Sequence, residues 1–260
     1  MAHFKDQGLS RPRKNGTVEY VIGIMGRRQS GKSVFGDTYT GRFELRREQL
    51  VLQSEAKTVT SPSGDAIKLK FIEIPCLSSI PPPSCDQVKL IDEVLVDSYK
   101  QGQRFIGIVY LSDSRDVDDK GLRRDLEYVD AIIGSDCHRR TVLVWNKTTD
   151  AQSEAPDIEL GQRIEIGQRI WNKRFNPPTM EPDRNPDAPI NRTENPPRQG
   201  TPNRIVQRFL EGELDAVQVV LGLQRDRTGK EPLSWGETKV FKLWESHQGL
   251  RGKMRRIFKA

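Results

Sequence analysis

One stretch near the amino terminus has the residue types and the spacing of a phosphate-binding loop, the Walker A pattern G-x-x-x-x-G-K-S/T. It follows an apolar run, residues 21–25, and consists of Gly26, Arg27, Arg28, Gln29, Ser30, Gly31, Lys32 and Ser33. The two glycines let the backbone turn so that successive N–H groups point at one anion. The alternative, a glycine-rich strand–helix turn without a ligand, is disfavoured because all four specified positions match.

Two side chains at the end of this loop would complete a site for a nucleoside triphosphate. Lys32 would reach the β- and γ-phosphates, and the Ser33 hydroxyl would bind Mg²⁺. A helix that begins near Lys32 would add the positive end of its dipole. The predicted ligands are therefore a nucleotide, held by the loop, and a magnesium ion.

A second magnesium ligand is predicted at the end of a neighbouring strand. Glu73 follows two apolar residues, Phe71 and Ile72, where a phosphate-loop protein needs an acidic residue to hold Mg²⁺ through water. GTPases usually open an Asp-x-x-Gly run at this point, whereas this chain has Glu73-Ile74-Pro75-Cys76. The alternative is a strand-end carboxylate that is merely solvated or paired.

The residues after a later strand resemble a guanine-recognition run. Guanine is usually read by Asn/Thr-Lys-x-Asp, and here the strand at 142–145 precedes Asn146-Lys147-Thr148-Thr149-Asp150. Asparagine and lysine are in place, but the aspartate comes one residue late. If Asp150 reaches the base, guanine selectivity is kept. If it does not, selectivity falls or the run is an ordinary turn.

Apolar strands and amphipathic helices alternate along the chain and would position these residues. Strands are predicted at 19–25, 66–74, 105–111 and 141–145, and a hairpin joins 58–60 to 66–74. Helices are predicted at 33–40, 88–101, 121–133 and 157–174, and Asp86 is the expected N-cap of the second. This alternation predicts an α/β fold, a mainly parallel sheet with helices on both faces.

Composition divides the chain into predicted parts. Residues 1–17 form a flexible arm, 18–175 the phosphate-loop domain and 204–238 its helical carboxyl-terminal part. Residues 176–203 contain eight of the 16 prolines and few apolar side chains, which predicts a disordered insertion. Residues 239–260 carry seven Lys or Arg among apolar residues, which predicts a terminal helix docked on the domain. The alternative is a basic amphipathic helix that contacts an anionic membrane or an acidic partner.

The overall composition excludes several classes of protein. With 260 residues and a net charge of +6, the chain is mildly basic, which favours acidic partners only weakly. An odd number of cysteines, Cys76, Cys85 and Cys137, without metal-ligand spacing or a signal peptide indicates reduced thiols. No apolar run approaches the roughly 20 residues needed to span a bilayer. We therefore expect a cytoplasmic location and no transmembrane segment.

The phosphate loop, the strands at 107–111 and 142–145, the helix from Leu122 and the stretch 205–229 together resemble a known group of proteins. These are fungal G-domain proteins related to the avirulence-induced, immunity-associated (GIMAP-like) GTPases and to septins, and the resemblance covers residues 19–229. It implies a three-layer P-loop NTPase (G domain) that binds GTP with Mg²⁺, GDP and ATP being the other candidate nucleotides. It also implies a homo-oligomer formed through the G domain.

The sequence departs from this group at three places. The usual Asp-Thr-Pro-Gly is replaced by the run that begins at Glu73. The threonine that should bind Mg²⁺ from the first switch falls near Ala56, with Thr58 as the nearest substitute. Arg28 stands where small GTPases tend to keep glycine beside the γ-phosphate. Arg28 would either crowd the attacking water, which we favour, or act as a cation on the transition state.

These features lead to three hypotheses of function. The first is an intracellular guanine-nucleotide switch with slow or absent hydrolysis, switches at 52–60 and 76–85, and Arg28 and Lys32 as its catalytic residues. The second is a non-catalytic interaction module that keeps the fold, which the altered Asp-x-x-Gly run favours. The third is a P-loop ATPase or small-molecule kinase, for which the displaced aspartate leaves room.

Overall fold

The structure, a computed structural model, describes residues 19–27, 30–40, 52–54, 56–61, 64–75, 84–113, 119–146, 157–175, 192–193, 205–207, 209–210 and 221–257. Its strands are β1 (Glu19–Gly26), β2 (Leu52–Gln53), β3 (Lys57–Thr60), β4 (Ala66–Glu73), β5 (Arg104–Asp113), β6 (Thr141–Asn146) and β7 (Arg192–Thr193). Its helices are α1 (Lys32–Thr40), α2 (Cys85–Lys100), α3 (Asp119–Ile133), α4 (Asp157–Phe175), α5 (residues 205–207 and 209–210), α6 (Gly222–Thr228) and α7 (Lys239–Ile257). Short 3₁₀ helices occupy Ser135–Arg140 and Trp235–Glu237.

The strands form one mainly parallel sheet with the order β2-β4-β1-β5-β6-β7. β1 pairs in parallel with β4 and β5, and β5 pairs in parallel with β6. β2 and β3 run antiparallel to β4, at opposite ends of that strand. The carboxyl ends of β1, β4, β5 and β6 therefore lie at one edge of the sheet, where ligands bind in open α/β folds.

The side chains of β1 explain why helices cover both faces of the sheet. Alternate residues of a strand point to opposite faces. Val21 and Met25 belong to a core that includes residues of α2, α3, α4, α6 and α7. Ile22 and Ile24 belong to a second core that includes residues of α1 and α5. Two buried layers on one sheet confirm the predicted α/β class with helices on both faces.

The beginning of α2 differs from the prediction that Asp86 caps it. Ser84 is the N-cap, and its hydroxyl accepts a hydrogen bond from the backbone N–H of Gln87. The Gln87 side chain accepts the Ser84 N–H at 2.8 Å. This capping box satisfies two backbone donors at once. Asp86 instead lies in the first turn, where its charge complements the helix dipole.

Two residues of the predicted insertion belong to the sheet. Arg192–Thr193 form β7, which pairs in parallel with Trp145 and Asn146 at the end of β6. They are the only part of 176–203 that the structure describes, so disorder stays a prediction for the remainder. The predicted arm, residues 1–17, also lies outside the described residues, as do residues 211–220 before α6.

Asp130 of α3 ties α3 to three further elements. Its carboxylate is hydrogen-bonded to His138 Nε2 at 2.7 Å, Arg174 of α4 at 3.1 Å and Lys239 of α7 at 3.1 Å. Burial alone would raise the pKa of Asp130, but the bonds from His138 and Lys239 and the charges of Lys239 and Arg174 outweigh burial and lower it. These four residues, here the Asp130 cluster, hold the helices on that face together.

The amino-terminal part of α7 packs against the domain. Val240 is fully buried, and His247 Nδ1 lies 3.0 Å from the Tyr128 hydroxyl of α3. The side chains of residues 249–257 are outside the described set, so whether they meet an acidic partner or a membrane stays a prediction. Among the described helices, none combines the length and the hydropathy needed to cross a membrane.

Candidate phosphate-binding site

The loop between β1 and α1 has a backbone shape that depends on its glycines. Gly26 has φ of +142° and Gly31 has φ of +88°, values that residues with a side chain rarely adopt. A Cβ on Gly26 would lie 2.2 Å from the Leu111 carbonyl oxygen and 2.8 Å from Ser30 Oγ. Glycine at 26 is therefore needed for the turn and for the close approach to β5. Of the predicted loop residues, Arg28 and Gln29 lie outside the described residues.

The Lys32 ammonium group lies between the loop and the end of β4. Its Nζ donates a hydrogen bond to the Arg27 carbonyl oxygen at 2.6 Å and lies 3.9 Å from Glu73 Oε1. The side chain is only 9% exposed. Its neighbours include a neutral carbonyl at close range and a carboxylate at the outer limit of an ion pair.

Ser33 and Glu73, the two predicted magnesium ligands, are in contact. The Ser33 hydroxyl donates to Glu73 Oε2 at 3.0 Å. The register of the sheet explains this contact, because Glu73 at the end of β4 is the partner of Ile24 in β1. Hydroxyl and carboxylate oxygens are ligands that Mg²⁺ accepts, and Mg²⁺ usually keeps several waters and phosphate oxygens in addition. The two side chains therefore fit this ion.

This pair differs from a site that binds a metal through protein ligands alone. Within the described residues, no group of three or more His, Cys, Asp or Glu is placed to hold a metal ion. A hydroxyl and one carboxylate supply too few ligands by themselves. The arrangement suits a cation that arrives with a phosphate, because the phosphate supplies the missing oxygens.

A buried ion pair that the sequence analysis did not predict joins the loop to α3. Arg27 Nε donates to Asp125 Oδ2 at 2.5 Å, and the Tyr110 hydroxyl of β5 donates to the same oxygen at 3.3 Å. The Asp125 side chain is 2% exposed and that of Arg27 is 19% exposed. The sequence holds a signal for this pair. Asp125 lies three residues after Leu122 and four before Val129, on the apolar face of α3, where a carboxylate needs a partner.

A small cavity adjoins this ion pair. Its volume is about 10 Å³, and Gly26, Pro75, Tyr110, Asp125 and Tyr128 are among the residues that line it. A cavity of this size holds at most one water molecule. It is too small for a ribose or a base, so it belongs to the packing behind the loop and does not indicate where a nucleoside would lie.

The predicted base-recognition run begins at the same edge of the sheet as the loop. Asn146 ends β6 and pairs by register with Asp113 at the end of β5, beside the carboxyl end of β1. The side chain of Asn146 and the whole of Lys147 and Asp150 lie outside the described residues. Recognition of the base by these three residues stays a prediction.

The suggestion that Thr58 substitutes for the switch threonine is wrong. Thr58 lies in β3 and pairs with Lys68, which is the partner of Glu19 at the start of β1. Lys68 precedes Glu73 by five residues of extended chain, a separation of about 17 Å at roughly 3.3 Å per residue. The hairpin pairing therefore places Thr58 near the amino end of β4, away from the phosphate loop.

Comparisons with known proteins identify the fold. The sequence matches no protein-family model and no curated protein sequence. A dimerization-deficient mutant of Toc33 from Arabidopsis thaliana has a TM-score of 0.53 at 15% identity, over 77% of this chain and 88% of that chain. Another similar structure comes from the chloroplast translocon components atToc33 and psToc159, for which dimerization is important for GTPase activity. Its TM-score is 0.54 at 13% identity, over 79% of this chain and 87% of that chain. At these identities the likeness shows the fold alone, the α/β fold that these GTPase structures have.

Proposed function

We propose that this protein binds a guanine nucleotide together with Mg²⁺ and works as an intracellular switch that hydrolyses GTP slowly or not at all. The observation that carries the proposal is that Glu73, at the mouth of the loop, lies 3.0 Å from the Ser33 hydroxyl and 3.9 Å from the Lys32 ammonium. A cation, a hydroxyl and a carboxylate placed at the end of such a loop are the groups that a magnesium–triphosphate complex requires.

Each residue has a role in this proposal. Lys32 and the backbone N–H groups from Gly26 to Ser33 hold the phosphates, and Arg27, Gln29 and Ser30 shape the loop. Ser33 and Glu73 hold Mg²⁺, which neutralises charge on the phosphate oxygens when it is bound. Asn146, Lys147 and Asp150 contact the base. Arg28, beside the γ-phosphate, restricts the attacking water, and Lys32 is the residue that stabilises the transferred charge.

Slow hydrolysis follows from the residues that the chain lacks at the usual positions. Water attack on the γ-phosphate depends on positioning and electrostatics rather than on a strong base. The run that begins at Glu73 has Cys76 where the Asp-x-x-Gly pattern has the glycine whose N–H contacts the γ-phosphate. Arg28 adds bulk at the same place. We therefore expect binding to be tighter, relative to turnover, than in an ordinary GTPase.

A route from the nucleotide to a partner surface supports the switch role. β2 pairs with β4 through Leu52 and Glu73, so the predicted first switch begins beside the proposed magnesium ligand. A change in the contacts of Glu73 would reach residues 52–53, at the start of this switch, directly. We further propose, from the dimerizing neighbours and the septin-like resemblance, that two G domains of this chain associate. The relation to fungal immunity-associated GTPases belongs to the same proposal.

Equilibrium binding of a fluorescent GTP analogue to the purified protein tests the proposal. We expect saturable binding that Mg²⁺ strengthens, that GTP and GDP compete for and that ATP competes for poorly. Lys32→Ala should weaken binding about 100-fold, because a charge-assisted contact between a largely buried ammonium and phosphate is lost. Lys89→Ala is the matched control, since Lys89 is half exposed in a surface pair with Glu93. Equal affinity in the wild type and Lys32→Ala would reject the proposal.

A turnover measurement and nucleotide competition in the binding assay separate two other functions. A non-catalytic interaction module, which the altered run at Glu73 favours, would bind GTP tightly without turnover or would not bind it. Turnover above background that disappears in Lys32→Ala excludes that function. A preference for ATP over GTP would instead favour a P-loop ATPase or kinase. Arg28→Gly should raise any hydrolysis rate, and a fall would make Arg28 a catalytic cation.

A further inference from the structure

We propose that Asp125 of α3 is a positioning residue for the phosphate loop and acts through the side chain of Arg27. The inference rests on the proposed function, because it assigns the loop to a phosphate ligand. It concerns how the loop keeps its shape before the ligand arrives. The residues involved are Asp125, Tyr110, Arg27 and the groups that the Arg27 backbone contacts.

The burial of Asp125 explains why the arginine is held. Its side chain is 2% exposed, and an isolated carboxylate in such a place is costly unless it is paired and hydrogen-bonded. Arg27 Nε and the Tyr110 hydroxyl both donate to Oδ2. Donors from the loop and from β5 therefore meet on one oxygen of α3. Loss of the Arg27 contact would remove a cation from this buried carboxylate, so the contact favours one position of the Arg27 side chain.

The backbone of Arg27 transmits this restraint to the binding groups. Its carbonyl oxygen accepts the Lys32 ammonium at 2.6 Å and the Ser30 N–H at 3.3 Å. One residue thus has its side chain fixed on α3 and its carbonyl oxygen bonded to the cation that would hold a phosphate. The fixed carbonyl thus gives the ammonium a defined position before a phosphate binds. A loop organised before binding loses less freedom when the ligand arrives.

A second buried pair in the same molecule provides a matched control. Asp92 of α2 has a side chain that is 2% exposed, and its Oδ2 accepts a hydrogen bond from Arg227 Nε of α6 at 3.1 Å. As in the Arg27–Asp125 pair, an arginine Nε donates to a buried aspartate carboxylate. The difference is that neither Asp92 nor Arg227 belongs to the loop. A general effect of neutralising a buried aspartate should appear in both pairs, and an effect on the loop only at Asp125.

Binding of the fluorescent GTP analogue to Asp125→Asn and Asp92→Asn is the first measurement. We expect Asp125→Asn to weaken binding about tenfold, the usual size for loss of one charge-assisted contact, while Asp92→Asn stays within about twofold of the wild type. Arg27→Gln should match Asp125→Asn. The double variant should be no weaker than either single variant, because the two side chains act as one unit. Losses that add would contradict the proposal.

Hydrogen exchange in the nucleotide-free protein is the second measurement. We expect the amides of residues 26–33 to exchange faster in Asp125→Asn and Arg27→Gln than in the wild type and Asp92→Asn. If Asp125→Asn does not fold, Arg27→Gln carries the test alone, since Arg27 lies in the loop and is partly exposed.

The two proposals fail in different ways. A wild-type protein that binds no nucleotide defeats the proposed function, and the exchange rates still report on the loop restraint. Wild-type binding that Lys32→Ala removes, with unchanged affinity and unchanged exchange in both loop variants, defeats the positioning role alone.

Discussion

The phosphate loop and the Asp130 cluster both bury charged side chains, but they arrange them differently. In the Asp130 cluster one carboxylate is in contact with three nitrogen groups from three elements, at 2.7 to 3.1 Å. At the loop, Lys32 stays 3.9 Å from Glu73 and donates at 2.6 Å to a neutral carbonyl. In the first arrangement, the carboxylate and its nitrogen partners lie at hydrogen-bond distance. The second holds its cation and its carboxylate at a longer separation.

The difference teaches how to distinguish a structural charge from a binding one. The lowered pKa of Asp130 shows that its neighbours more than offset the penalty of burial and stabilise its charge in the folded state. The oxygens of such a carboxylate already accept hydrogen bonds within the protein, which disfavours binding to a ligand. Glu73 contacts a neutral hydroxyl, whose oxygen a cation can also use. We therefore expect changes at Asp130 to alter stability and changes at Glu73 to alter binding.

The largest expected effect is on stability, from Asp130→Asn. The variant should lower the free energy of unfolding by about 3 kcal/mol, because a charge that holds three partners is removed from a buried position. Urea denaturation measures it. Nucleotide affinity should not change. Asp97→Asn, at an exposed position of α2, is the control and should stay within about 0.5 kcal/mol of the wild type. A loss below about 1 kcal/mol at Asp130 would mean that the Asp130 cluster is not a structural support.

The next effect belongs to the loop. Glu73→Gln keeps the shape of the side chain and removes its charge, so GTP affinity in the presence of Mg²⁺ should fall about tenfold, or about 1.4 kcal/mol. With EDTA the variant and the wild type should bind alike, because the carboxylate acts on the ion. Titrations of the fluorescent analogue under both conditions measure this. An equal loss in EDTA would show that Glu73 acts through Lys32 rather than through Mg²⁺.

The fold was largely predictable from sequence because the apolar pattern is strong in the central strands. The runs at 21–25, 105–111 and 141–145 are nearly continuous apolar segments, which only buried central strands require. Glycines at 26 and 31 mark a turn whose positive φ angles residues with a side chain rarely adopt. The register of β1 with β4 then brings Glu73 to the loop, as predicted from its place at a strand end.

The details that sequence reasoning missed depend on contacts between distant segments. Arg27 and Asp125 are 98 residues apart, and spacing alone cannot pair them. β7 consists of two residues in a proline-rich stretch, and its pairing with β6 is set by the sheet edge rather than by its own propensity. Thr58 lies two residues from Ala56, where the switch threonine is expected. The hairpin nevertheless places Thr58 at the other end of β4. Local pattern carries none of this information.

A smaller effect is expected from pH, and it should differ in sign between two buried aspartates. The folded-state pKa of Asp130 lies below its ordinary value of 3.8, so Asp130 stabilises the fold above that pH and the contribution is lost as pH falls through the folded pKa. Burial raises the pKa of Asp92, and the charge and hydrogen bond of Arg227 offset this only in part. Protonated Asp92 therefore stabilises the fold at acid pH, and this stabilisation is lost as pH rises through the folded-state pKa.

Denaturation of the wild type, Asp130→Asn and Asp92→Asn at pH values from about 3 to 6 checks these signs. Asp130→Asn should lose less stability on acidification than the wild type does. Asp92→Asn should lose more, because the wild type gains from protonation of Asp92 over that interval. Parallel curves for all three proteins would mean that neither carboxylate is linked to folding.

The smallest effect is expected within the Asp130 cluster itself, from Lys239→Gln. Lys239 lies 3.1 Å from Asp130, as Arg174 does, but its side chain is 61% exposed against 38% for Arg174. An ion pair with an exposed partner is screened by water and salt and contributes about 0.5 kcal/mol. Urea denaturation at low and high salt should show this difference shrinking as salt rises. A loss as large as that of Asp130→Asn would mean that α7 is held to the domain mainly by this one charge. The main role of the Asp130 cluster would then be to hold α7 on the domain rather than to stabilise α3.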